Sequence, residues 1–162
     1  MDAADLRFEL DDLSRPAVAA LLEQHLAEMH ATSPPESVHA LPIAALRAPE
    51  VALWSAWAGQ ELLGVGALKL LDGALADAVE VKSMRTTAGA RGRGVGTALL
   101  RHLLDQARAA GRRRVLLETG AEDYFAAARR LYARHGFRER PPFGHYRPDP
   151  LSVYMELVLE PR

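Results

Sequence analysis

The stretch AGARGRGVGTALLRHLL, residues 88–104, places three glycines at alternate positions (Gly92, Gly94 and Gly96) directly before an apolar helical pattern. Glycine has no Cβ, so neighbouring main-chain N–H groups can converge on one point. The first turn of the following helix adds unpaired N–H groups and the positive end of its dipole. The stretch therefore predicts a strand–loop–helix unit that binds an anion, and a phosphate group fits such a site.

Two common phosphate loops do not match this stretch. A P-loop requires a lysine and a hydroxyl residue after its second glycine, and no lysine follows here. A dinucleotide loop, G-x-G-x-x-G, would begin at Gly92 and would meet Thr97 instead of its third glycine. A third pattern, Gln or Arg followed by x-x-G-x-Gly, matches from Arg91 to Gly96.

Hydrophobic periodicity on both sides of the loop predicts a mixed α/β fold. We expect strands that alternate or are buried on both faces, and helices with one apolar face. Ser14 is predicted as the N-cap of the first helix. The predicted order begins with strand 6–10, helix 16–29, short helix 42–47, two hairpin strands around residues 58–60, strand 78–86 and the glycine loop. It continues with a helix whose apolar face runs from Leu99 to Ala107 and whose C-cap is Gly111, strand 114–118, helix 123–135, a short strand that starts at 137–138, and strand 152–159.

Composition narrows the class of protein. The length of 162 residues predicts one domain over residues 1–162. The net charge of −1 gives no electrostatic reason to expect nucleic acid or membrane binding. Cysteine is absent, which excludes thiolate metal sites and a cysteine nucleophile. Residues 1–13 are acidic, unlike a signal peptide, and no apolar run is long enough for a membrane span. We expect a cytoplasmic protein without a metal site.

At this point the sequence resembles the GCN5-related N-acetyltransferases, the GNAT family. The loop carries part of the resemblance, and the later motif L-Y-x-x-x-G-F, at residues 131–137, makes it specific. The resemblance covers nearly the whole chain. Within the family, the sequence is similar to a bacterial subgroup, the YsnE type, for which indole-acetate is sometimes the named acceptor. The similar stretches are ESVHAL (36–41), WSAW (54–57), KSMRT (82–86) and LETG (117–120).

The resemblance implies a mixed, mostly antiparallel central sheet of about seven strands with one splayed pair, flanked by about four helices. It also implies acetyl-CoA as the donor and direct transfer in a ternary complex. The pyrophosphate would lie on the glycine loop, and the pantetheine arm would bind the backbone of the strand before it. The implied cofactor-binding residues are Met84, Arg85, Thr86, Arg91, Gly92, Arg93, Gly94, Val95, Gly96 and Thr97.

Acetyl transfer to an amine requires a base for the amine and a proton for the leaving thiolate. Tyr132 of the L-Y-x-x-x-G-F motif is the candidate acid, and the backbone N–H of Met84 is the oxyanion donor that the resemblance implies. Glu80 is the candidate base, because strand alternation puts Glu80, Lys82 and Met84 on one face. Glu118, at the end of the buried strand, is a second candidate.

The acceptor is predicted to be a small molecule with an amine. Lys82, His39 and Glu118 are the candidate acceptor-binding residues. The positive charges of Lys82 and Arg85 would suit an acceptor that also bears a carboxylate. The loop FGHYRPDP, residues 143–150, could close over it.

Other function classes stay open at this level. The chain could be a CoA-binding sensor without turnover, or an enzyme that acetylates lysines or N-termini of proteins. A nucleic-acid binder would use the arginines near residues 91–93 and 112–114, but the neutral net charge and the lack of interleaved aromatic residues argue against it. A homodimer is also open.

Overall fold

The computed structural model describes residues 5–160. Residues 1–4, which belong to the acidic stretch that argues against a signal peptide, and residues 161–162, the end of the predicted domain, lie outside them. The described residues form a mixed α/β structure around one sheet of seven strands. The strands are β1 (Arg7–Leu10), β2 (Val51–Ala58), β3 (Glu61–Leu70), β4 (Ala78–Thr86), β5 (Arg114–Gly120), β6 (Arg138–Arg140) and β7 (Ser152–Val158).

The sheet is mostly antiparallel, as expected. Its strand order is β1-β2-β3-β4-β5-β7-β6, and only the central pair β4–β5 runs parallel. A parallel pair needs a long crossover connection, and here the glycine loop and a helix provide it. The sheet thus consists of an antiparallel meander, β1 to β4, joined to a second antiparallel unit, β5-β7-β6.

Three α-helices cover the sheet within residues 5–160: α1 (Pro16–Thr32), α2 (Val95–Ala109) and α3 (Ala126–Arg134). The expectation of about four helices was high by one, because Ile43–Arg47 forms a 3-10 helix. The predicted N-cap Ser14 is also wrong: Arg15 holds that position and Pro16 begins the helix. None of these helices is long and apolar enough to cross a membrane.

The helices divide between the two faces of the sheet. On one face, α2 and α3 pack their apolar sides against β3, β4 and β5, through residues such as Leu103, Val81 and Leu117. On the other face, α1 packs against β2 and β3, where Leu22 meets Trp57. We call these the α2/α3 face and the α1 face. Trp54 packs on the α2/α3 face, so the two tryptophans lie on opposite faces, as their spacing predicts.

Strands β4 and β5 pair at one end only. Their register runs from Ala78 opposite Arg114 to Glu80 opposite Leu116, and no further pairs join them. At the paired end, Arg114 donates hydrogen bonds of 2.7 and 2.9 Å to Asp77 and one of 2.9 Å to Glu156. Beyond Glu80, the two strands diverge and leave main-chain groups of β4 without a partner on β5.

A bulge breaks the alternation of β4 just where the strands diverge. Ser83 has a φ of 53°, in the left-handed region, and the pairing with β3 shifts register between Val65 and Ala67. Glu80 and Lys82 contact each other on the α1 face, but Met84 packs with the core of the α2/α3 face. The prediction that Met84 shares their face is therefore wrong, and the bulge is the reason.

Candidate functional site

A cavity of about 410 Å³ opens where β4 and β5 diverge. Its walls come from α1, the segment after it, both strands, and α3 with the turn that precedes it. The lining residues are His25, Met29, His39, Ala40, Val81, Lys82, Ser83, Met84, Arg85, Thr86, Arg91, Glu118, Thr119, Tyr124, Phe125, Ala127, Ala128 and Tyr132.

The glycine loop lies between the end of β4 and the start of α2. Gly92 and Gly94 have φ values of 75° and 79°, which glycine adopts readily and other residues do not. Gly94 is the N-cap of α2, and no side chain within residues 5–160 caps this helix, so its first N–H groups can bind a ligand. Arg91 extends from the loop to the cavity wall. The structure thus has the loop conformation that the sequence predicts for an anion site.

The predicted cofactor-binding residues fall into two groups. Met84, Arg85, Thr86 and Arg91 line the cavity. The other six form the turn and the first turn of α2, beside the cavity and not in its wall: Gly92, Arg93, Gly94, Val95, Gly96 and Thr97.

Tyr132 enters the cavity from the α2/α3 face. Its ring packs on Phe137, and its hydroxyl approaches the sulfur of Met84 at 4.0 Å. Burial, with a smaller contribution from the charge of Glu118, raises the pKa of Tyr132 to about 12. The phenol therefore keeps its proton at neutral pH and has a proton to donate.

Glu118 enters the cavity from the α1 face, since it follows Leu116 at a spacing of two on β5. Burial raises the pKa of Glu118 to about 7, although a 2.8 Å hydrogen bond from Ser152 and the nearby charge of Lys82 oppose the rise. A carboxylate with a pKa near 7 can accept a proton at neutral pH and release it again.

Glu80 and Lys82 form a buried network with Tyr146. Lys82 Nζ donates to the Tyr146 hydroxyl at 2.8 Å, to the backbone oxygen of His39 at 2.9 Å and to Glu80 Oε2 at 3.3 Å. Tyr146 donates to the same Glu80 oxygen at 2.5 Å, and burial, then the Glu80 charge, raise the pKa of Tyr146. Lys82 and His39 line the cavity, whereas Glu80 lies beneath Lys82 and is only 2% exposed.

Tyr146 belongs to the loop that the sequence predicts as a cover. No sequence pattern distinguishes Tyr146 from its neighbours within FGHYRPDP. Its ring packs against Phe143 and Tyr154 on the α1 face, and its hydroxyl reaches β4. The hydrogen bonds of Tyr146 with Lys82 and Glu80 thereby hold this loop against β4.

A second charged network joins β4, α1 and the turn before α3, and two of its members, Arg85 and Tyr124, line the cavity. Arg85 on β4 pairs with Glu28 on α1 at 2.5 Å and donates to the hydroxyl of Tyr124 at 2.9 Å. Tyr124 in turn donates to Glu28 at 2.7 Å. Hydrogen bonds from Tyr124 and Arg85 lower the pKa of Glu28 to about 2. The sequence did not indicate Glu28 or Tyr124, because they meet only in the folded chain.

Four buried side-chain atoms in the cavity wall have no hydrogen-bond partner within residues 5–160: His25 Nδ1, His39 Nε2, Ser83 Oγ and Arg85 Nε. Buried polar atoms are nearly always paired, so unpaired ones that gather in one cavity indicate a ligand or water that pairs with them. Burial lowers the pKa of His25 to about 4 and also lowers that of His39, so both rings are neutral at pH 7.

These positions define the chemistry that the site can support. A proton donor, Tyr132, and a proton acceptor, Glu118, face the same cavity from opposite sides of the sheet. An extended molecule can lie along the unpaired edge of β4 and reach the glycine loop. The geometry suits transfer of a group from an extended, anionic donor to a nucleophile that enters from the α1 face.

Comparison with known sequences identifies a family of group-transfer enzymes. Residues 17–137 match the Acetyltransferase (GNAT) family. The chain is 47% identical over 149 residues to the uncharacterized N-acetyltransferase YedL of Escherichia coli K12, with 92% of each chain covered. It is 45% identical over 150 residues to the uncharacterized N-acetyltransferase YsnE of Bacillus subtilis 168, covering 93% of this chain and 97% of the relative. A protein of Azospirillum brasilense named IAA acetyltransferase is 39% identical over 139 residues, covering 85% and 86%.

Solved structures share the fold. A Klebsiella pneumoniae protein assigned as an acyl-CoA N-acyltransferase superposes with a TM-score of 0.77 at 28% identity, covering 97% of this chain and 99% of the other. A Bacillus subtilis acetyltransferase in complex with CoA gives a TM-score of 0.71 at 21% identity, with 96% and 99% covered.

Proposed function

The chain belongs to the GNAT acetyltransferase family, and from that premise we propose that it transfers the acetyl group of acetyl-CoA to the amine of a small molecule. One observation carries the proposal: Tyr132 and Glu118 face a common cavity at the divergence of β4 and β5, one from each face of the sheet. This arrangement supports Tyr132 as the acid and Glu118 as the base, on opposite sides of the position where a thioester would lie.

The residues present fit acetyl-CoA. The N–H groups at the start of α2 are uncapped, the glycine loop has the conformation of an anion cradle, and Arg91 adds a positive charge. The β4 edge beyond Glu80 offers main-chain groups that amides of a pantetheine arm can pair with. The main chain of residues 84–86 and the loop and first helical turn at residues 91–97 would therefore hold it.

When bound, acetyl-CoA supplies an acetyl group as a thioester with a thiol as leaving group. Glu118 accepts a proton from the amine of the acceptor, which must be neutral to attack. The N–H of Met84, at the bulge, donates to the oxygen on which charge develops. Tyr132 Oη donates its proton to the departing sulfur. Tyr132 is thus the acid, as its motif predicts, and Glu118 is the base.

This assignment gives Glu80 a different role from the base that the sequence favours. Glu80 is 2% exposed, is not in the cavity wall, and already accepts hydrogen bonds from Lys82 and Tyr146. We propose that it holds Lys82 and the 143–150 loop in place. Glu118 lines the cavity and has a pKa near working pH, which better suits proton transfer.

The acceptor side favours a small molecule over a protein segment. The Ser33 hydroxyl donates to Glu122 at 2.6 Å, and the Ser37 hydroxyl donates to Asp149 at 2.7 Å. These bonds hold the segment after α1 across the α1 face of the site, where an open groove would be needed for a peptide. The positive charges of Lys82, Arg85 and Arg91 in the wall also favour an acceptor with a carboxylate.

The proposal is tested by measuring thiol release from acetyl-CoA with the purified protein, across amino acids, polyamines, aminoglycosides and lysine peptides. We expect turnover with small amines and little with peptides. Tight acetyl-CoA binding without turnover on any amine would favour a CoA-binding sensor. Preferred turnover on peptides would favour a protein acetyltransferase. A cytoplasmic location and a homodimer stay predictions.

Replacing Gly92 with alanine is expected to weaken CoA binding roughly 10-fold. A Cβ at Gly92 would meet nothing within 4 Å, so the change acts only through its φ of 75°. The strained loop would move its N–H groups away from the pyrophosphate. Calorimetric titration with CoA measures the effect.

Gly59→Ala is the matched control. Gly59 lies in the β2–β3 hairpin, has a φ of 58°, and also has nothing within 4 Å of its Cβ position. Both variants should lose about 1 kcal/mol of stability, but only Gly92→Ala should lose CoA affinity. Wild-type affinity in both variants would contradict the loop as the pyrophosphate site.

A further inference from the structure

We propose that Arg85, with Ser83 and His25, forms a carboxylate-binding subsite, so that the acceptor is an amino acid or another small amine bearing a carboxylate. The inference rests on the proposed acetyl transfer and specifies its acceptor. The sequence prediction gave Lys82 and Arg85 together as the cations for a carboxylate, whereas the structure assigns this role to the Arg85 side chain alone.

The Arg85 guanidinium is fixed but not fully used. One terminal nitrogen donates to Tyr124 and the other pairs with Glu28. The remaining nitrogen, Nε, has no hydrogen-bond partner within residues 5–160, although the side chain is only 8% exposed and lines the cavity. A buried guanidinium N–H without a partner is costly, and a carboxylate oxygen is the acceptor that best matches it.

Two further unpaired groups lie in the same wall. Ser83 Oγ and His25 Nδ1 are buried without partners and line the cavity with Arg85. Ser83 is two residues before Arg85 on β4, and His25 is one turn before Glu28 on α1. A hydroxyl and a neutral imidazole can each donate a hydrogen bond. Together with Arg85 they form a set of donors suited to an anion.

Lys82 cannot serve as this subsite in the same way. Its ammonium has three donors, and three acceptors are already in place: the His39 carbonyl, the Tyr146 hydroxyl and Glu80. Binding a carboxylate there would break one of these bonds. Arg85 can donate a hydrogen bond from Nε to a carboxylate and keep its bonds to Tyr124 and Glu28.

The position of the subsite also fits the proposed chemistry. Arg85 reaches toward α1 from β4, while Glu118 faces the same side of the sheet from β5. The two residues therefore lie across the divergence from each other and both line the cavity. A molecule with its carboxylate at Arg85 can direct its amine toward Glu118. Arg85 would then bind one end of the acceptor, and Glu118 would take the proton from the other end.

The test uses pairs of acceptors that differ only in the carboxylate: each amino acid and its carboxamide, assayed with wild type and Arg85→Gln. We expect wild type to prefer the amino acid at least 10-fold in kcat/KM. Arg85→Gln should lower kcat/KM for the amino acid roughly 10- to 100-fold, with little change for the carboxamide or in KM for acetyl-CoA. Equal use of both acceptors by wild type, or a preference that survives Arg85→Gln, would overturn the inference.

Glu28→Gln is the control for a purely structural role. It breaks the same ion pair but leaves the guanidinium, so the preference for the carboxylate should be kept or increased. If Glu28→Gln loses the preference as Arg85→Gln does, the ion pair and not the subsite is responsible, and the inference fails. The same acceptor pairs, measured by equilibrium binding in the presence of CoA, decide the inference even if no amine is acetylated.

Discussion

Tyr132→Phe is expected to lower kcat for acetyl transfer by about 100- to 10,000-fold, the usual contribution of a general acid. The substitution removes one oxygen, whose only described contact is the Met84 sulfur at 4.0 Å. The ring keeps its packing against Phe137. The loss should therefore fall on kcat, with acetyl-CoA affinity changed less than about 3-fold. Single-turnover kinetics with acetyl-CoA and the preferred acceptor measure the chemical step directly.

Tyr154→Phe serves as the matched control. Tyr154 is buried on the α1 face, and its hydroxyl donates to the Arg147 carbonyl outside the cavity wall. The same loss of one hydroxyl should change kcat by less than about 5-fold, within the ordinary effect of a surface-loop hydrogen bond. Near-wild-type kcat in Tyr132→Phe would remove Tyr132 from the mechanism and leave water as the proton donor.

Glu118→Gln is expected to lower kcat/KM by about 100- to 10,000-fold at pH 8. Glu118 is active without its proton, so wild-type kcat/KM should rise as pH increases through about 7, the pKa of this carboxyl. The groups facing it are Lys82 and Glu80 on β4 and Ser152 and Asp149 near β7. The variant should lose the acid limb of the profile, since it has no proton to release there. An unchanged limb would assign the ionisation to another group.

The same variant should be more stable than wild type at high pH. In the folded protein the pKa of Glu118 is raised from 4.5 to about 7, so ionisation opposes folding as pH rises between these values. Glutamine stays neutral. At pH 8 we expect Glu118→Gln to unfold at higher denaturant, by about 1–3 kcal/mol, and to show no such gain at pH 4. Glu139→Gln, the same change on exposed strand β6, should show neither effect.

Much of the fold was predictable because its signals are local. Neighbouring residues alone predicted the glycine loop, the apolar face of α2 and the buried pattern of β5, and the structure has all three. Element ends were less accurate: Ser14 is not the N-cap of α1, because its N–H is bound to Asp12 in a turn and Arg15 takes the position. The bulge at Ser83 left no local sign, and it turned Met84 to the opposite face from the one predicted.

The parts of the candidate site that belong to a sequence motif could be predicted. The parts formed by residues far apart in the sequence could not. Tyr132 and the loop glycines came from motifs, and the structure places them at or beside the cavity. The choice between Glu80 and Glu118 required burial and partners, because both are single glutamates on neighbouring strands. Glu28, Tyr124 and Tyr146 come from three separate segments, so only the folded chain shows that they hold Arg85 and Lys82.

The one-ended pairing of β4 and β5 also determines how the molecule can open. Within residues 5–160, β4 and β5 share three register pairs, and the N–H groups of Arg113 and Arg114 donate to the Asp77 carbonyl at the same end. Beyond Glu80 no strand pairing joins the two units within residues 5–160, so the amide hydrogens of β4 that face the divergence should exchange faster than those at the paired end. A ligand in the cavity touches both units. The contacts of the ligand would replace the cross-strand bonds that the divergence lacks. Its binding would therefore also hold the two units together and stabilise the folded protein.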